Sequence, residues 1–444
     1  MRYVQRRCPA VSCVSAGVGL DRSAKVGILG ADDSQKKVSL YSVSVSTNIV
    51  CGDIGAGFMD FELTEEQRMI KETARKFAQE VLLERAREYD RREEFPRQNF
   101  AELAEMGFMG ILVPEEYGGA GLGDVELVLA LEEIARACPS TAVTMSVHNS
   151  LVCRVINWFG TEEQKRRYLP RLASGEIIGA YAVTEPDIGS DAGNIRMSAT
   201  RRGDTYILNG TKAWITTGAN AGCIIVFART KKDAEKPHRG ISAFIVEPTF
   251  KGFRPGKQEK KMGLRASDTC QLIFEDCEVP AENLLGRENE GFKIMMRGLD
   301  GGRIGIAAQA VGIAQACFDL AAEYAKVRKQ FGKFLYQFEM IQQKFADMAT
   351  RINAARLLTY HAAWLKDKNL PHSQQASMAK LFASETAVYC ATEAVQIYGG
   401  YGYTKDFDVE RYFRDAKVTE IYEGTNEIQR IVIARHALGL VSPR

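Results

Sequence analysis

The hydrophobic pattern of this chain changes twice, and these two changes divide it into three regions. Up to about residue 177 the apolar residues recur at helical spacing. From residue 178 the pattern becomes short apolar runs separated by charged or Gly/Pro-containing turns, which is typical of strands. Helical spacing then returns at Gly291. The sequence therefore predicts an α+β protein, mostly helical, with domains at 59–177, 178–289 and 290–444.

Local signals support the helical domain at 59–177. Thr64 and Gln67 form one capping box and Thr161 and Gln164 another, because each side chain can bond the backbone N–H of the other residue. Further helices are predicted around residues 97–107, 124–137 and 141–158. We expect an all-helical first domain.

The middle domain is predicted to be a small antiparallel sheet or barrel. Asn209-Gly210 lies between two strand-like runs, and this pair favours a type I′ hairpin turn, which needs positive φ at both central residues. Further strand candidates lie at 223–227, 241–246 and 271–274.

The last domain is predicted to be a four-helix bundle. Its helical segments have lengths suited to that architecture, and the main interruption is the run Gly399-Gly400-Tyr401-Gly402. The predicted helices span residues 291–328, 335–367, 373–398 and 426–437.

Residues 1–58 differ from the rest of the chain, and we expect them to be a disordered leader or the product of a misassigned start. Arg2, Arg6 and Arg7 with no acid in the first twenty residues fit a mitochondrial transit peptide. Met59 directly precedes the first well-formed element, which fits a later start. The first alternative implies the mitochondrial matrix, whereas a bacterial protein would be cytoplasmic.

Composition argues against several classes of function. The 58 basic residues nearly match the 56 acidic residues, which gives no electrostatic case for binding nucleic acid. No apolar stretch looks long enough to span a bilayer. The ten cysteines contain no Cys-x-x-Cys pair, and the five histidines have no ligand spacing. We therefore predict no disulfide framework and no metal site.

Three segments combine glycine and polar residues inside otherwise apolar structure. Tyr181–Asp191 reads as a strand running into a Pro/Gly turn, which suits a planar heterocycle and a pyrophosphate but also an ordinary strand end. Trp214–Thr216 places an indole and a hydroxyl on the same face of a strand. Ile421–Arg430 places Glu423 beside Gly424 before a helix, where an apolar surround would make the carboxylate a base, although a solvated Glu before a cap is also possible.

In this order, the three segments closely resemble the acyl-CoA dehydrogenase family from Met59 to about Leu440. The run Arg328–Gly332 matches a further family motif. Three runs resemble the short-chain (butyryl-CoA) branch, namely Leu272–Cys277, Gly302–Ala307 and Ile421–Arg430. Asp187-Ile188 departs from the Gly-Ala pair that is common at this turn.

The resemblance implies FAD bound between the β domain and the C-terminal bundle, with some contacts from a neighbouring subunit of a homotetramer. The implied FAD-binding residues are Tyr181, Val183, Thr184, Gly189, Ser190, Trp214, Thr216, Arg328, Phe331, Gln396, Gly400, Thr425 and Glu427. The implied substrate-binding residues are Ser190, Asp300, Arg303, Tyr422 and Gly424.

The resemblance also implies a reaction. Glu423 would remove the α-proton of an acyl-CoA, a β-hydride would pass to the flavin, and electron-transferring flavoprotein would take the electrons. Relatives of the isovaleryl and long-chain type carry the base at the position of Gly302, which cannot act as one. This favours straight acyl chains of short to medium length. A glutaryl, branched, cyclic or dicarboxylic acyl-CoA and a non-catalytic flavin-binding relative are the alternatives.

Overall fold

The structure is a computed structural model that describes residues 62–233 and 235–441. The predicted leader at residues 1–58 lies outside these residues. A helical region comes first, a sheet follows, and a second helical region ends the chain. This is the predicted α+β architecture.

The first helical region confirms both capping boxes. The backbone N–H groups of Gln67 and Gln164 each donate to the preceding threonine hydroxyl, at 3.2 Å in both cases. Two π-helical segments, Ala78–Leu82 and Val147–Cys153, join consecutive helices, so the predicted helix at 141–158 is interrupted. The helices are α1 (Glu65–Phe77), α2 (Leu83–Arg92), α3 (Arg97–Glu105), α4 (Asp124–Ala137), α5 (Pro139–Ser146), α6 (Arg154–Phe159) and α7 (Glu162–Ala173).

The middle region is an eight-stranded sheet. Its hydrogen-bonded order is β6-β7-β3-β2-β4-β5-β8, and β1 pairs in parallel with β4. Most neighbouring pairs are antiparallel, as predicted, but β1 and a single β2–β4 pairing make the sheet mixed. The strands are β1 (Gly179–Ala182), β2 (Ser198–Arg202), β3 (Thr205–Thr216), β4 (Cys223–Arg229), β5 (Ile241–Val246), β6 (Phe253–Gln258), β7 (Thr269–Pro280) and β8 (Leu284–Leu285).

The predicted hairpin turn at Asn209-Gly210 is wrong, because β3 runs through both residues. The Asn209 amide donates to Asp276 Oδ1 at 3.0 Å, and the Asp276 N–H donates to Asn209 Oδ1 at 2.7 Å. The β3–β7 register shifts at this point. A Cβ on Gly210 would lie 2.9 Å from the Met197 side chain, and its φ is +145°. The pair therefore forms a β-bulge against β7 instead of a turn.

The last region contains five α-helices in the described residues, one more than predicted. The short α11 was missed, and a two-stranded hairpin of β9 (Lys329–Gln330) and β10 (Lys333–Phe334) follows the first helix. The helices are α8 (Gly291–Val327), α9 (Glu339–Asp367), α10 (Ser373–Tyr398), α11 (Val409–Lys417) and α12 (Asn426–Ala437).

Helix α8 corrects the expectation that no segment is long and apolar enough to span a bilayer. By length and composition it could cross one, but 78% of its most apolar window is buried inside the protein. It packs against α4, α9 and α10. Burial among these helices accounts for its apolar composition.

The apolar core falls into three clusters. One fills the helical parts, another lies within the sheet, and a third joins α5–α7, β1, β4, β5 and α8. The third cluster includes Tyr181 and Val147, with Tyr422 packed against it. Both helical regions and the sheet therefore meet at one place, which positions the candidate site.

Candidate active site

A cavity of about 930 Å³ lies where the sheet meets the two helical regions. Its walls contain all three of the segments that the sequence singles out. Twelve of the predicted site residues line it: Tyr181, Val183, Thr184, Gly189, Ser190, Trp214, Thr216, Arg303, Tyr422, Glu423, Gly424 and Thr425.

Glu423 lies in a strained turn between α11 and α12. Its φ is +54° and that of Gly424 is +88°, so two successive residues adopt the left-handed conformation. Thr425 then caps α12, because its hydroxyl accepts a hydrogen bond from the Ile428 N–H. A glutamate rarely adopts this conformation, and such outliers are concentrated at functional sites.

One oxygen of the Glu423 carboxylate is withdrawn from solvent. The residue as a whole is half-buried, but its Oε2 atom is buried and has no hydrogen-bond partner among the described residues. Burial raises the pKa of Glu423 to about 7, and the positive charges of Arg303 and Lys380 oppose this rise. A general base works best when its pKa lies near the working pH, so this carboxylate is suited to that role.

Glycine at position 302 leaves room for this carboxylate. A Cβ built on Gly302 would lie 2.6 Å from Glu423 Oε2 and 2.8 Å from its Cδ. Any larger side chain on this face of α8 would therefore displace the carboxylate.

Arg303 approaches the cavity from α8, next to Gly302. It is 6% exposed, and its Nη1 donates to Asp300 Oδ1 at 2.8 Å. The Ser373 hydroxyl donates to the other carboxylate oxygen of Asp300. Asp300 does not line the cavity. The structure therefore places Asp300 behind Arg303, where it orients the guanidinium.

The strand end at Tyr181–Asp191 is held in place by a buried carboxylate for which the sequence indicated no role. Glu185 accepts hydrogen bonds from the N–H groups of Arg196 and Met197, at 2.6 and 2.9 Å. Its Oε1 also accepts from the fully buried Lys212 ammonium at 2.9 Å, and that ammonium binds the Val183 carbonyl at 2.8 Å. This buried ion pair fixes the backbone between β1 and the turn.

Trp214 stands out of β3 toward the cavity. Its φ is +60°, and the β3–β7 register shifts between Lys212 and Ile215. The Trp214 residue is 59% exposed. Thr216 lines the same cavity two residues later. The bulge thus presents an aromatic plane and a hydroxyl together, as the sequence predicts.

These walls fit a planar heterocyclic cofactor. A Cβ on Gly189 would meet no atom within 4 Å, so protein packing does not require glycine there, whereas a ligand close to the backbone would. The hydroxyls of Thr184 and Thr216 and the indole of Trp214 face the same space. The Asp187 carboxylate, which departs from the common turn sequence, is exposed and lies 3.9 Å from Arg196.

Six predicted site residues do not line the cavity. Asp300 is one, and the other five lie elsewhere: Arg328, Phe331, Gln396, Gly400 and Glu427. Phe331 is 94% exposed, and the Arg328 guanidinium lies 5.5 Å from the centre of the Tyr401 ring. Their predicted contacts with a cofactor of a neighbouring subunit stay predictions.

Two polar residues at the base of the site were missed from the sequence. Lys380 in α10 and Gln429 in α12 both donate to the Gly424 carbonyl, at 3.0 and 2.8 Å. Lys380 occupies a helix face that also carries the buried residues Ala376 and Ala383. A charged residue on such a face was the available signal. Among the described residues, no group of three or more His, Cys, Asp or Glu side chains could hold a metal ion.

Three family models match the chain in succession. The acyl-CoA dehydrogenase N-terminal domain matches residues 64–176, the middle domain 180–277 and the C-terminal domain 289–438.

Similar proteins agree with this result. The short-chain specific acyl-CoA dehydrogenase of Clostridium acetobutylicum is 50% identical over 376 residues, covering 85% of this chain and 99% of that protein. The structure of butyryl-CoA dehydrogenase from Megasphaera elsdenii matches with a TM-score of 0.84 at 46% identity, over 86% of this chain and all of that one. A chain in the structure "Electron transferring flavoprotein of Acidaminococcus fermentans: Towards a mechanism of flavin-based electron bifurcation" matches with a TM-score of 0.84 at 51% identity, with the same coverage. This chain belongs to the acyl-CoA dehydrogenase family.

Proposed function

We propose that the protein is an FAD-dependent dehydrogenase that converts short to medium straight-chain acyl-CoA to trans-2-enoyl-CoA and passes the electrons to electron-transferring flavoprotein. The observation that carries this proposal is the Glu423 carboxylate. Its Oε2 atom is buried and has no partner in the described residues, and burial raises its pKa to about 7 in the cavity lined by Trp214 and Thr216.

Glu423 acts as the base that removes the α-proton of the thioester. This proton is weakly acidic, so negative charge that develops on the thioester carbonyl must be stabilised, and backbone N–H groups are the usual donors. We propose that the backbone N–H of Glu423 is one of these donors. Bound FAD supplies the acceptor for the β-hydride. Burial raises the pKa of the Glu423 carboxylate, because it disfavours the charged form.

Residues of the β domain would hold the cofactor. The proposed contacts are Tyr181, Val183, Thr184, Gly189, Ser190, Trp214 and Thr216, with Thr425 and Glu427 following the catalytic turn. This assignment is supported by the fact that all of these residues except Glu427 line one cavity. Arg328, Phe331, Gln396 and Gly400 would contact FAD in a neighbouring subunit of a homotetramer. Their exposure in the single chain supports this assignment.

The substrate would extend from Glu423 in two directions. Val143, Val147 and Ile306 line an apolar part of the cavity that suits an acyl chain. A second cavity of about 300 Å³ shares Ser190, Ala192 and Met296 with the first, and so offers space for the CoA portion. Arg303, Tyr422 and Gly424 line the region near Glu423, and Asp300 would act through Arg303.

The proposed electron acceptor is supported by the similarity to the chain from the Acidaminococcus structure, whose description names an electron transferring flavoprotein. The proposed chain length is supported by the short-chain and butyryl-CoA names of the relatives.

Anaerobic bleaching of the bound flavin tests the substrate class. The purified holoenzyme is mixed with straight-chain acyl-CoAs of increasing length, and with isovaleryl-CoA and glutaryl-CoA, and the loss of flavin absorbance is followed. We expect the fastest bleaching with a four-carbon chain and restored absorbance when electron-transferring flavoprotein is added. A flavoprotein that only a branched or dicarboxylic acyl-CoA bleaches would contradict the straight-chain assignment.

A further inference from the structure

Lys380 is a fully buried lysine directly beneath the catalytic turn. Its relative exposure is 0%, and it is among the largest completely buried side chains in the described residues. Its ammonium donates to the Gly424 carbonyl at 3.0 Å and to Asn426 Oδ1 at 2.9 Å. Because burying an ammonium is costly unless it is paired, these contacts indicate a specific role.

The turn above Lys380 is held from two helices. Gln429 in α12 donates through Nε2 to the carbonyls of Glu423 and Gly424, at 3.2 and 2.8 Å. Ser384 in α10 donates to Asn426 Oδ1 at 3.1 Å. Left-handed backbone costs about 1–2 kcal/mol at a residue with a Cβ, so the conformation at Glu423 depends on such contacts. Lys380 is the cationic member of this set.

Positive charge reaches Glu423 from two elements, with Arg303 on α8 and Lys380 on α10. The carboxylates of Glu420 and Glu427 act on the charge of Lys380. The phenols of Tyr181 and Tyr422 lie near Glu423.

Burial lowers the pKa of Lys380 to about 8, with the positive charge of Arg303 adding to this effect. The negative charge of Glu423 opposes the change. Lys380 is therefore still mostly protonated at neutral pH.

We propose that Lys380 is a positioning residue of the active site, which fixes the Gly424 carbonyl and with it the direction of the Glu423 side chain, and whose charge favours the ionised form of the Glu423 carboxyl. The proposal rests on the proposed role of Glu423 as the base. Any buried ammonium needs acceptors, so the titration of Glu423 is the measurement that separates this role from a purely structural one.

Two variants separate the charge from the hydrogen bonds. Lys380→Met removes both, while Lys380→Gln removes the charge and keeps an amide donor. In both variants we expect the pKa of the Glu423 carboxyl to rise by at least about one unit, since an opposite charge nearby shifts a carboxyl by about 1–3 units. The acid limb of the pH–rate profile for flavin bleaching then moves to higher pH by the same amount. The bleaching rate at high pH recovers further in Lys380→Gln than in Lys380→Met.

Infrared difference spectroscopy measures the carboxyl directly. The titration of the Glu423 C=O band is recorded on the holoenzyme without substrate, with Glu423→Gln as the blank that identifies the band. Lys366→Met is the matched control, because Lys366 is also buried but pairs with Asp124 at 2.8 Å. We expect this control to lower thermal stability without moving the Glu423 band.

Each outcome has one meaning. A Glu423 band that titrates as in the wild type in Lys380→Gln overturns the proposal, and so does an equal shift in Lys366→Met. If Lys380→Met does not fold, Lys380→Gln alone decides. A band that shifts while the acid limb of bleaching stays in place supports the coupling between Lys380 and Glu423 but contradicts the proposed role of Glu423 as the base.

Discussion

At the scale of single residues, the site depends on a glycine and a glutamate that lie 121 positions apart in the sequence and share one space. The Glu423 carboxylate occupies the space that a side chain at position 302 would fill. A Cβ at 302 would lie 2.6 Å from the carboxylate. The sequence indicated that 302 cannot supply a base, but not that glycine is needed there for packing. That second reason required the three-dimensional contact.

A first prediction follows for Gly302→Ala. Alanine is favoured over glycine inside a helix by about 1 kcal/mol, so the helix itself is not weakened. The new methyl group displaces the Glu423 carboxylate, and we expect the rate of flavin bleaching to fall at least about tenfold, since small misplacements of reacting groups are costly.

Gly301→Ala is the matched control for this variant. Its Cβ would lie 2.5 Å from the Lys366 ammonium, and its nearest neighbours do not include Glu423. Stopped-flow bleaching and thermal unfolding of both variants separate loss of rate from loss of stability. Equal rates in Gly302→Ala and Gly301→Ala would show that the close contact at Glu423 is unimportant.

A second prediction concerns the pH dependence of stability. The pKa of Glu423 is raised to about 7 in the folded protein from 4.5, so the folded state holds the proton between these pH values while the unfolded state has lost it. The contribution of this group to stability is thus complete below pH 4.5 and is lost as the pH rises through 7. The full loss is about 3 kcal/mol at one pKa unit per 1.36 kcal/mol.

Glu423→Gln lacks this titration. We therefore expect the unfolding free energy of Glu423→Gln, relative to the wild type, to increase between pH 4.5 and pH 7. Denaturant unfolding at several pH values measures the difference. A difference in unfolding free energy that stays constant across this range would mean that burial does not raise the pKa of the Glu423 carboxyl.

At the scale of elements, the capping boxes and strand β3 show which sequence signals are sufficient to predict local structure and which are not. The capping boxes at Thr64 and Thr161 were predicted correctly because both partners lie within one helical turn. Asn209-Gly210 was predicted as a turn, but the partner that decides its conformation is Asp276, which lies on the neighbouring strand β7 and is distant only in the sequence. Local patterns predict structure where the contacts are local, and they fail where a distant residue supplies the contact.

The three polar segments were identified from the sequence because each combines glycine with side chains that core strands rarely need. The supporting roles of Glu185, Lys212 and Lys380 were not identified, since the partner of each lies far away in the sequence. Helix α11 was also missed. It connects the three parts of the molecule, because Arg414 binds Asp90 at 2.7 Å and the Met262 carbonyl at 3.2 Å.

A third prediction concerns the buried pair that supports β1 and β3. In Lys212→Met the Glu185 carboxylate keeps its two backbone donors but loses its cation in a buried site. Breaking a buried pair by removing one partner costs about 3–5 kcal/mol, and we expect a loss of stability of that size.

Lys251→Met is the control for Lys212→Met. It breaks the Lys251–Glu278 pair, in which the side chains are 81% and 47% exposed. An exposed pair of this kind contributes about 0–1 kcal/mol. Chemical denaturation measures both variants, and similar losses in the two would show that burial of the Lys212–Glu185 pair has no special importance.

At the scale of the whole molecule, the cavity lies where all three parts of the chain meet, because its walls come from α5, β1, β3, α8 and the turn before α12. Arg328, Phe331, Gln396 and Gly400 lie outside this cavity. We therefore expect these residues to contact FAD only when a neighbouring subunit brings its own cofactor close to them.

A fourth prediction therefore concerns Phe331, which is 94% exposed in the single chain. Removing this ring in Phe331→Ser loses, within the chain, an edge contact with the Phe338 ring at 6.4 Å between centroids. It also removes a proposed contact with the FAD of a neighbouring subunit. We expect the FAD retained per chain after gel filtration to fall several-fold.

Met69→Ser is the control for Phe331→Ser, because Met69 is a large apolar residue that is 66% exposed on α1. We expect Met69→Ser to keep its FAD. Equal retention of FAD in the two variants would contradict the proposed role of Phe331.

The most direct test of the central claim is the rate of anaerobic flavin bleaching by butyryl-CoA in Glu423→Gln compared with the wild type, at equal FAD content. General base catalysis contributes about 10²–10⁴-fold, so we expect bleaching in the variant to be slower by at least about 10²-fold while FAD stays bound. Bleaching at the wild-type rate in Glu423→Gln would contradict the assignment of Glu423 as the base.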